Sequence, residues 1–291
     1  MPATGVRLSV LITCLNAADW IAGQLDALAA QEWSEPWEVV VADGGSTDET
    51  IKIVERYRDR LPGLRIVDAS DRRGIAHGFN VAAVAARGEL FAFCEADDEV
   101  GDGWVAALGT MLETHEIVAS PAETRKLNAA SVRESRSKAG GLEHAWFPPY
   151  LPHASTLGLG LRRELFERLD GFDESFKAMQ DADLCFRAQL AGVELVLVPE
   201  ATVHYRLRTG FRAIYRQARL YAECYAKLQR KYKAPGTRVP GQWKWPLKNW
   251  RPILAALTHV GGPGGLGRLA WALGWQVGRI RGSVRHRVLA L

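Results

Sequence analysis

The sequence predicts an α/β fold built on a mostly parallel central sheet. Three observations carry that expectation. Short apolar runs rich in β-branched residues alternate with helix-like segments, as βαβ units require. The runs are continuous rather than alternating, which suits strands covered on both faces. Several end in polar or acidic residues, and open parallel sheets gather ligands at that carboxyl edge.

The elements follow in order. LSVLITCLN (8–16) reads as a strand and WIAGQLDALAAQ (20–31) as a helix with apolar residues at helical spacing. WEVVVADGGS (37–46) is a second strand, running into Asp43-Gly44-Gly45. A cap pattern at Thr47, with Glu49 and Thr50 nearby, opens an amphipathic helix over 47–61. LRIVDAS (64–70) is a third strand, and GIAHGFNVAAVAARG (74–88) a Gly-opened, Ala-rich helix. LFAFCEADD (90–98) is a fourth strand and GWVAALGTMLETH (103–115) a fourth helix. Residues 118–145 are polar and read as loop-rich. A strand, short helix and turn fill 157–176, a helix stopped by Gly192 fills 181–193, and a strand pair fills 194–208. Basic helical segments follow. One of them, 262–280, sets Leu266, Leu269, Leu273, Val277 and Ile280 along one face.

The chain has 291 residues and is 47% hydrophobic, enough for one large domain or one domain with an appendage. Cys14, Cys94, Cys185 and Cys224 form no CxxC pair, so they read as reduced thiols of a cytoplasmic protein rather than a zinc or disulfide framework. The N-terminus enters a strand without a signal-peptide pattern, and no apolar window is long enough to span a bilayer. The net charge of +4 conceals an asymmetry. Residues 206–291 hold 18 Lys/Arg and one acid, Glu223, whereas 1–205 hold 19 Lys/Arg and 32 acids. Trp243, Trp245, Trp250, Trp271 and Trp275 also lie in the basic tail.

The stretches LSVLITCLNAADWIAGQLDALAAQ, VVVADGGSTDET, RRGIAHGFNVAAVAARGELFAFCEADD and GFDESFKAMQDADLCFRAQLAGVELVLVPEATVHY occur in this order over about residues 6–206. Together they resemble family 2 glycosyltransferases of GT-A fold. The resemblance implies a catalytic domain over 1–206, with a nucleotide-binding half at about 6–117 and an acceptor half at about 118–206. Residues 207–291 form a basic, Trp-rich helical region outside it.

The resemblance also assigns residues. Asp43, Gly44 and Ser46 would hold the nucleotide, with Thr13 and Asn16 against it; the plain reading of the same residues is an Asp-Gly turn, a cap and loop hydrogen bonding. Arg73, Gly74 and Asn80 would meet nucleotide and donor sugar, although Arg72-Arg73 also suits a solvated pair. Glu95 and Asp97 stand where the family has Asp-x-Asp, binding Mg²⁺ or Mn²⁺ on the donor diphosphate; alternation along a strand puts both on one face. An acidic surface loop is the competing reading, and Glu95 departs from the pattern by one methylene. Asp181 matches the general base and Asp183 is the alternative, with Gln180 where the family has Glu and Arg187 as a partner for one of the acids. His204 would complete the metal site or is structural.

The expected activity is inverting transfer from a UDP-, TDP- or GDP-sugar to the hydroxyl of a sugar or lipid-linked acceptor, in cell-envelope or other glycoconjugate synthesis. A nucleotidyltransferase is the first alternative, but LITCLNAADW lacks its Gly-rich basic loop. A non-catalytic sugar- or membrane-binding member of the fold is the second. The tail suits an anionic membrane surface, placing the enzyme peripherally at the inner face of the cell membrane. The alternative is packing on the domain or on a second copy of the chain. Nothing resembles a nucleic-acid-binding signature, so no nucleic acid partner is expected.

Overall fold

The computed structural model describes residues 5–135, 141–233 and 245–290. Trp243 and part of the stretch expected to be loop-rich therefore lie outside the described residues. The first half runs β1 (Leu8–Cys14), α1 (Ile21–Ala29), β2 (Trp37–Asp43), α2 (Thr50–Glu55), β3 (Arg65–Asp68), α3 (Ile75–Ala85), β4 (Leu90–Glu95), β5 (Glu99–Val100) and α4 (Trp104–Leu112). The second half runs β6 (Ile117–Ala119), β7 (Ala122–Glu123), α5 (Ala130–Arg133), β8 (Glu143–His144), β9 (Pro152–His153), β10 (Leu159–Arg162), α6 (Arg163–Arg168), α7 (Gln180–Leu190), β11 (Leu195–Leu197) and β12 (Val203–His204). Three helices close the chain: α8 (Phe211–Tyr232), α9 (Trp245–Thr258) and α10 (Gly265–His286).

Seven strands form the central sheet in the order β11-β6-β10-β4-β1-β2-β3. β10 runs antiparallel to both of its neighbours, and the remaining pairings are parallel. The order turns back at β1, which has β2 on one side and β4 on the other; ligands of open α/β sheets sit at such a switch point. Alternation along the strands explains the continuous apolar runs. Val10, Ile12, Val39, Val41, Ala92 and Cys94 face one core with Leu25, Leu108 and Trp104. Leu11, Val40, Phe91 and Phe93 face the other, with Phe79, Phe166 and Phe172. Phe79 meets Phe93 edge to face at 5.1 Å, a geometry that stabilises by about 1 kcal/mol beyond burial.

Two expectations need correction. The helix expected over 47–61 is confined to α2, because Asp48 takes the Thr50 N–H (3.0 Å) and hydroxyl (2.5 Å) on one oxygen and the Ala18 N–H (3.1 Å) on the other. Those bonds hold 44–49 as a loop against the end of β1. The strand pair expected over 194–208 is divided between sheets: β11 joins β6, whereas β12 joins β5 and β7.

The tail packs on the domain. Leu228 and Cys224 of α8 bury against Phe176, Phe186 and Phe147. α10 lies along α8 through Gly274, Gly278 and Gly282, which meet Ala218, Ala222 and Ala226. The stripe read from the sequence flanks that row: Leu266 and Ile280 are exposed, whereas Leu269, Leu273 and Val277 are half-buried. Small residues bring the two backbones together, and the large apolar ones lie beside that contact. Among the described residues no helix is long and apolar enough to cross a membrane.

Candidate active site

The carboxyl edge of the sheet collects most of the expected residues. Register sets Thr13 of β1 level with Ala42 of β2 and Glu95 of β4. Asp43 ends β2 and accepts from the Ser46 N–H (3.0 Å) and hydroxyl (2.6 Å). Gly45, at φ +88°, lets the chain turn there. Asn16 ties this loop to β1, donating its N–H to Ser46 Oγ (2.9 Å) and accepting from the Thr47 N–H (2.8 Å). Thr13, Asn16, Asp43, Gly44 and Ser46 thus form one turn system at the ends of β1 and β2. Arg73 and Gly74 lie on the exposed loop entering α3.

Asn80, expected beside the donor, bonds to the protein itself. Its Nδ2 donates to Phe172 O (2.9 Å) and Glu174 Oε1 (3.0 Å), and its Oδ1 accepts from the Phe172 N–H (2.9 Å). Those bonds staple α3 to the 172–174 segment. Glu174 also takes Arg72 at 2.6 Å and His77 at 3.2 Å.

Glu95, Asp97 and Asp98 offer oxygens that all lie within 4.8 Å of one another. Burial pushes the Glu95 carboxyl up to about 7, with the Asp97 charge adding to the shift. Asp98 is also raised, first by burial and then by its two acidic neighbours. One Asp98 oxygen accepts the Arg206 N–H at 2.8 Å, while Oδ2 is buried with no hydrogen-bond partner among the described residues. Three crowded carboxylates with an orphaned oxygen are the donor set that a hard divalent ion takes. Arg208 reaches Asp97 Oδ2 at 3.1 Å, and Arg206 donates to Asp97 O at 2.9 Å. His204 is not in this cluster; its Nδ1 engages Glu123 on the neighbouring strand β7.

A cavity of about 1360 Å³ opens above the cluster and has Glu95, Asp97 and Asp181 on its wall. Thr156, in the turn before β10, links them. Its hydroxyl donates to Glu95 Oε1 (3.0 Å) and its N–H to Asp181 Oδ2 (3.3 Å). Asp181 stands in the first turn of α7, where its Oδ1 accepts the Ala182 N–H at 2.8 Å. Burial raises its pKa against those hydrogen bonds. Asp183, the alternative base, has different surroundings. It is fully buried, holds Arg187 Nε at 2.8 Å, and accepts from Tyr232 (2.8 Å) and Lys231 (2.7 Å) of α8.

The sequence reading passed over Thr156 and the contribution of α8 and α10 to the cavity. Thr156 lies in a short turn with no spacing signal of its own. The tail residues Tyr221, Trp271 and Trp275 line the cavity because α8 and α10 fold back over it.

Comparison with known proteins gives the family and the fold. The family model described as Glycosyl transferase family 2 matches residues 9–170. The succinoglycan biosynthesis protein ExoA of Rhizobium meliloti is 27% identical over 254 residues, covering 81% of this chain and 74% of that protein. The poly(ribitol-phosphate) beta-N-acetylglucosaminyltransferase TarS of Staphylococcus aureus is 25% identical over 203 residues, or 69% of this chain and 35% of that one. An uncharacterized protein of Mycobacterium tuberculosis is 38% identical over 92 residues, 31% of this chain and 27% of its own length. The chain thus spans about a quarter to a third of the last two. Among solved structures, the mannosyltransferase PcManGT from Pyrobaculum calidifontis, in complex with GDP-Man and Mn²⁺, superposes with a TM-score of 0.65 at 24% identity, covering 97% of this chain and 87% of that one. S. aureus TarS in complex with UDP gives 0.54 at 19% identity, covering 96% and 91%. The GT-A fold is common to all three.

Proposed function

The chain belongs to glycosyl transferase family 2, and from that premise we propose that it moves a sugar from a nucleoside diphosphate to an acceptor hydroxyl, with Asp181 as general base. The observation that carries this is the meeting of Glu95, Asp97 and Asp181 on one cavity wall, tied through Thr156. The turn system of Thr13, Asn16, Asp43, Gly44 and Ser46 takes the nucleotide, and Arg73 and Gly74 border it. Glu95 and Asp97 hold a divalent ion, Mg²⁺ or Mn²⁺, with Asp98 beside them. Such an ion supplies Lewis-acid neutralisation of the departing diphosphate.

The acceptor oxygen attacks the anomeric carbon as the bond from that carbon to the diphosphate oxygen breaks. The hydroxyl proton passes to an Asp181 carboxylate oxygen, and the electron pair leaves with the nucleoside diphosphate. One displacement with no enzyme nucleophile inverts the anomeric centre. A buried carboxylate with a raised pKa is a stronger base at neutral pH than a solvated one.

The test is release of nucleoside diphosphate from a panel of UDP-, GDP- and TDP-sugars, with and without Mn²⁺. Metal-dependent turnover that Asp181→Asn suppresses supports the reading. Silence across the panel, with no metal-dependent nucleotide binding, returns the chain to a non-catalytic member of the family.

The tail also serves as a peripheral contact with an anionic bilayer. Leu254 and Leu257 of α9 and Leu266, Ile280 and Val284 of α10 are exposed, and Arg251 and Arg287 accompany them on a strongly basic segment. Full-length protein should pellet with phosphatidylglycerol vesicles and less with phosphatidylcholine vesicles. Equal pelleting of a Leu254→Asp/Leu257→Asp variant would count against it.

A further inference from the structure

The cavity extends well beyond the acidic cluster, and its far wall is aromatic. Trp271 and Trp275 of α10 stack at 5.8 Å with their planes 21° apart. Trp146 joins Trp275 at 5.6 Å, and its backbone N–H donates to the Tyr225 hydroxyl at 2.6 Å. Trp146 remains exposed although it sits in this cluster, so its ring is not serving as core.

The wall is joined to the reacting groups. Tyr221 of α8 lies 6.4 Å from Trp271, edge to face. Tyr221 lines the same cavity as Glu95 and Asp181. On the Asp181 side, Gln180 is 3% exposed and lines the cavity. Its Oε1 is buried with no hydrogen-bond partner among the described residues. A buried amide oxygen without a donor is unfavourable, so a ligand that supplies the donor is favoured there.

We infer that the part of the cavity roofed by α8 and α10 is a carbohydrate subsite. Trp271 and Trp275 take the apolar face of an acceptor sugar ring, and Gln180 Oε1 accepts a hydrogen bond from one of its hydroxyls. Sugars suit this wall because a pyranose presents C–H groups on one face and hydroxyl donors around its edge. Indoles cover the first, and an orphaned acceptor answers the second. A hydrocarbon chain would use the indoles but leave Gln180 Oε1 unpaired. The acceptor role rests on the transferase reading above; the sugar-binding role does not.

The test uses saturation-transfer NMR of the full-length protein with methyl α- and β-glycosides of glucose, galactose, mannose, N-acetylglucosamine and rhamnose. At least one should contact the wild type through its ring C–H protons. Trp275→Ala and Trp271→Ala should each weaken that contact about tenfold, while Trp275→Phe retains part of it. Binding of UDP or GDP with Mn²⁺, followed by calorimetry, should be unchanged in the same variants, which shows that they remain folded. With a turned-over acceptor, Gln180→Leu should raise the acceptor KM about tenfold at similar kcat. The inference is overturned if no glycoside contacts the wild type, or if the tryptophan variants bind glycosides as it does. Glycoside contact without any nucleotide binding would sink the transferase reading and leave the subsite standing.

Discussion

Asp181 and Asp183 stand two positions apart at the start of α7, yet their carboxylates face opposite sides of the helix. Asp181 lines the cavity, whereas Asp183 is closed beneath Lys231 and Tyr232 of α8. The two should therefore fail in different ways. Asp181→Asn removes the proton acceptor and should lower kcat by about 10²–10⁴, with little change in unfolding free energy. Asp183→Asn leaves Arg187 and Lys231 without their shared counter-charge and should cost about 3 kcal/mol in urea unfolding. A stable but inactive Asp183→Asn would reverse the assignment.

The acidic run 95–99 divides in the same manner. Asp97 is in the three-carboxylate cluster, whereas Glu99 pairs with Lys126 at 2.9 Å and Arg206 at 3.8 Å. Asp97→Ala should weaken Mn²⁺-dependent binding of UDP or GDP about 100-fold or more, measured by calorimetry. Glu99→Ala should shift it by less than about tenfold. Equal losses would mean that the cluster does not hold the ion.

The sheet was legible because strand runs obey local rules. Val39-Val40-Val41 and Phe91-Ala92-Phe93 announce strands covered on both faces, and Asp43 and Glu95 announce where those strands end. The bonds of Asn80 to Phe172 and Glu174 were not foreseen, because both partners lie more than 90 residues away and no local pattern records them. Thr156 was missed for the same reason: its link between Glu95 and Asp181 exists only after β4, β10 and α7 come together. The α10 stripe was read correctly as a face, but the packing surface is the Gly and Ala row beside it. Apolar size marks a face without saying whether water, protein or lipid covers it.

His153 of β9 gives a pH dependence. Burial, with some repulsion from His144, pushes its imidazole down to about 4 from an ordinary value near 6.5. Above pH 6.5 it is neutral in both folded and unfolded chains and shifts nothing. Between 6.5 and 4 the unfolded chain binds a proton that the folded chain does not, so stability falls as pH falls, by about 3 kcal/mol in all. Urea unfolding at pH 7.5 and 5.0 should show this loss in the wild type and a smaller one in His153→Gln. The same slope in both proteins would assign the effect to other groups.

Gly278 offers a test in which two principles give opposite signs. In an exposed helix, Gly→Ala stabilises by about 1 kcal/mol through backbone entropy. In α10 a Cβ at position 278 would stand 2.2 Å from the Arg219 carbonyl oxygen of α8 and 2.8 Å from the Ala222 Cβ. The first contact is with backbone, so the helices themselves must separate, and overpacking of this kind costs about 1–3 kcal/mol. Gly278→Ala should therefore lower the melting temperature, whereas Val284→Ala on the 77% exposed face should leave it nearly unchanged. Adding Ala222→Gly should not rescue Gly278→Ala, because the nearer obstacle is the Arg219 carbonyl and remains in place. Because Trp271 and Trp275 ride on the same helix, the variant should also raise the KM for acceptor more than that for the nucleotide sugar. A melting temperature equal to or above the wild type would mean that α8 and α10 are not held at the close approach seen here.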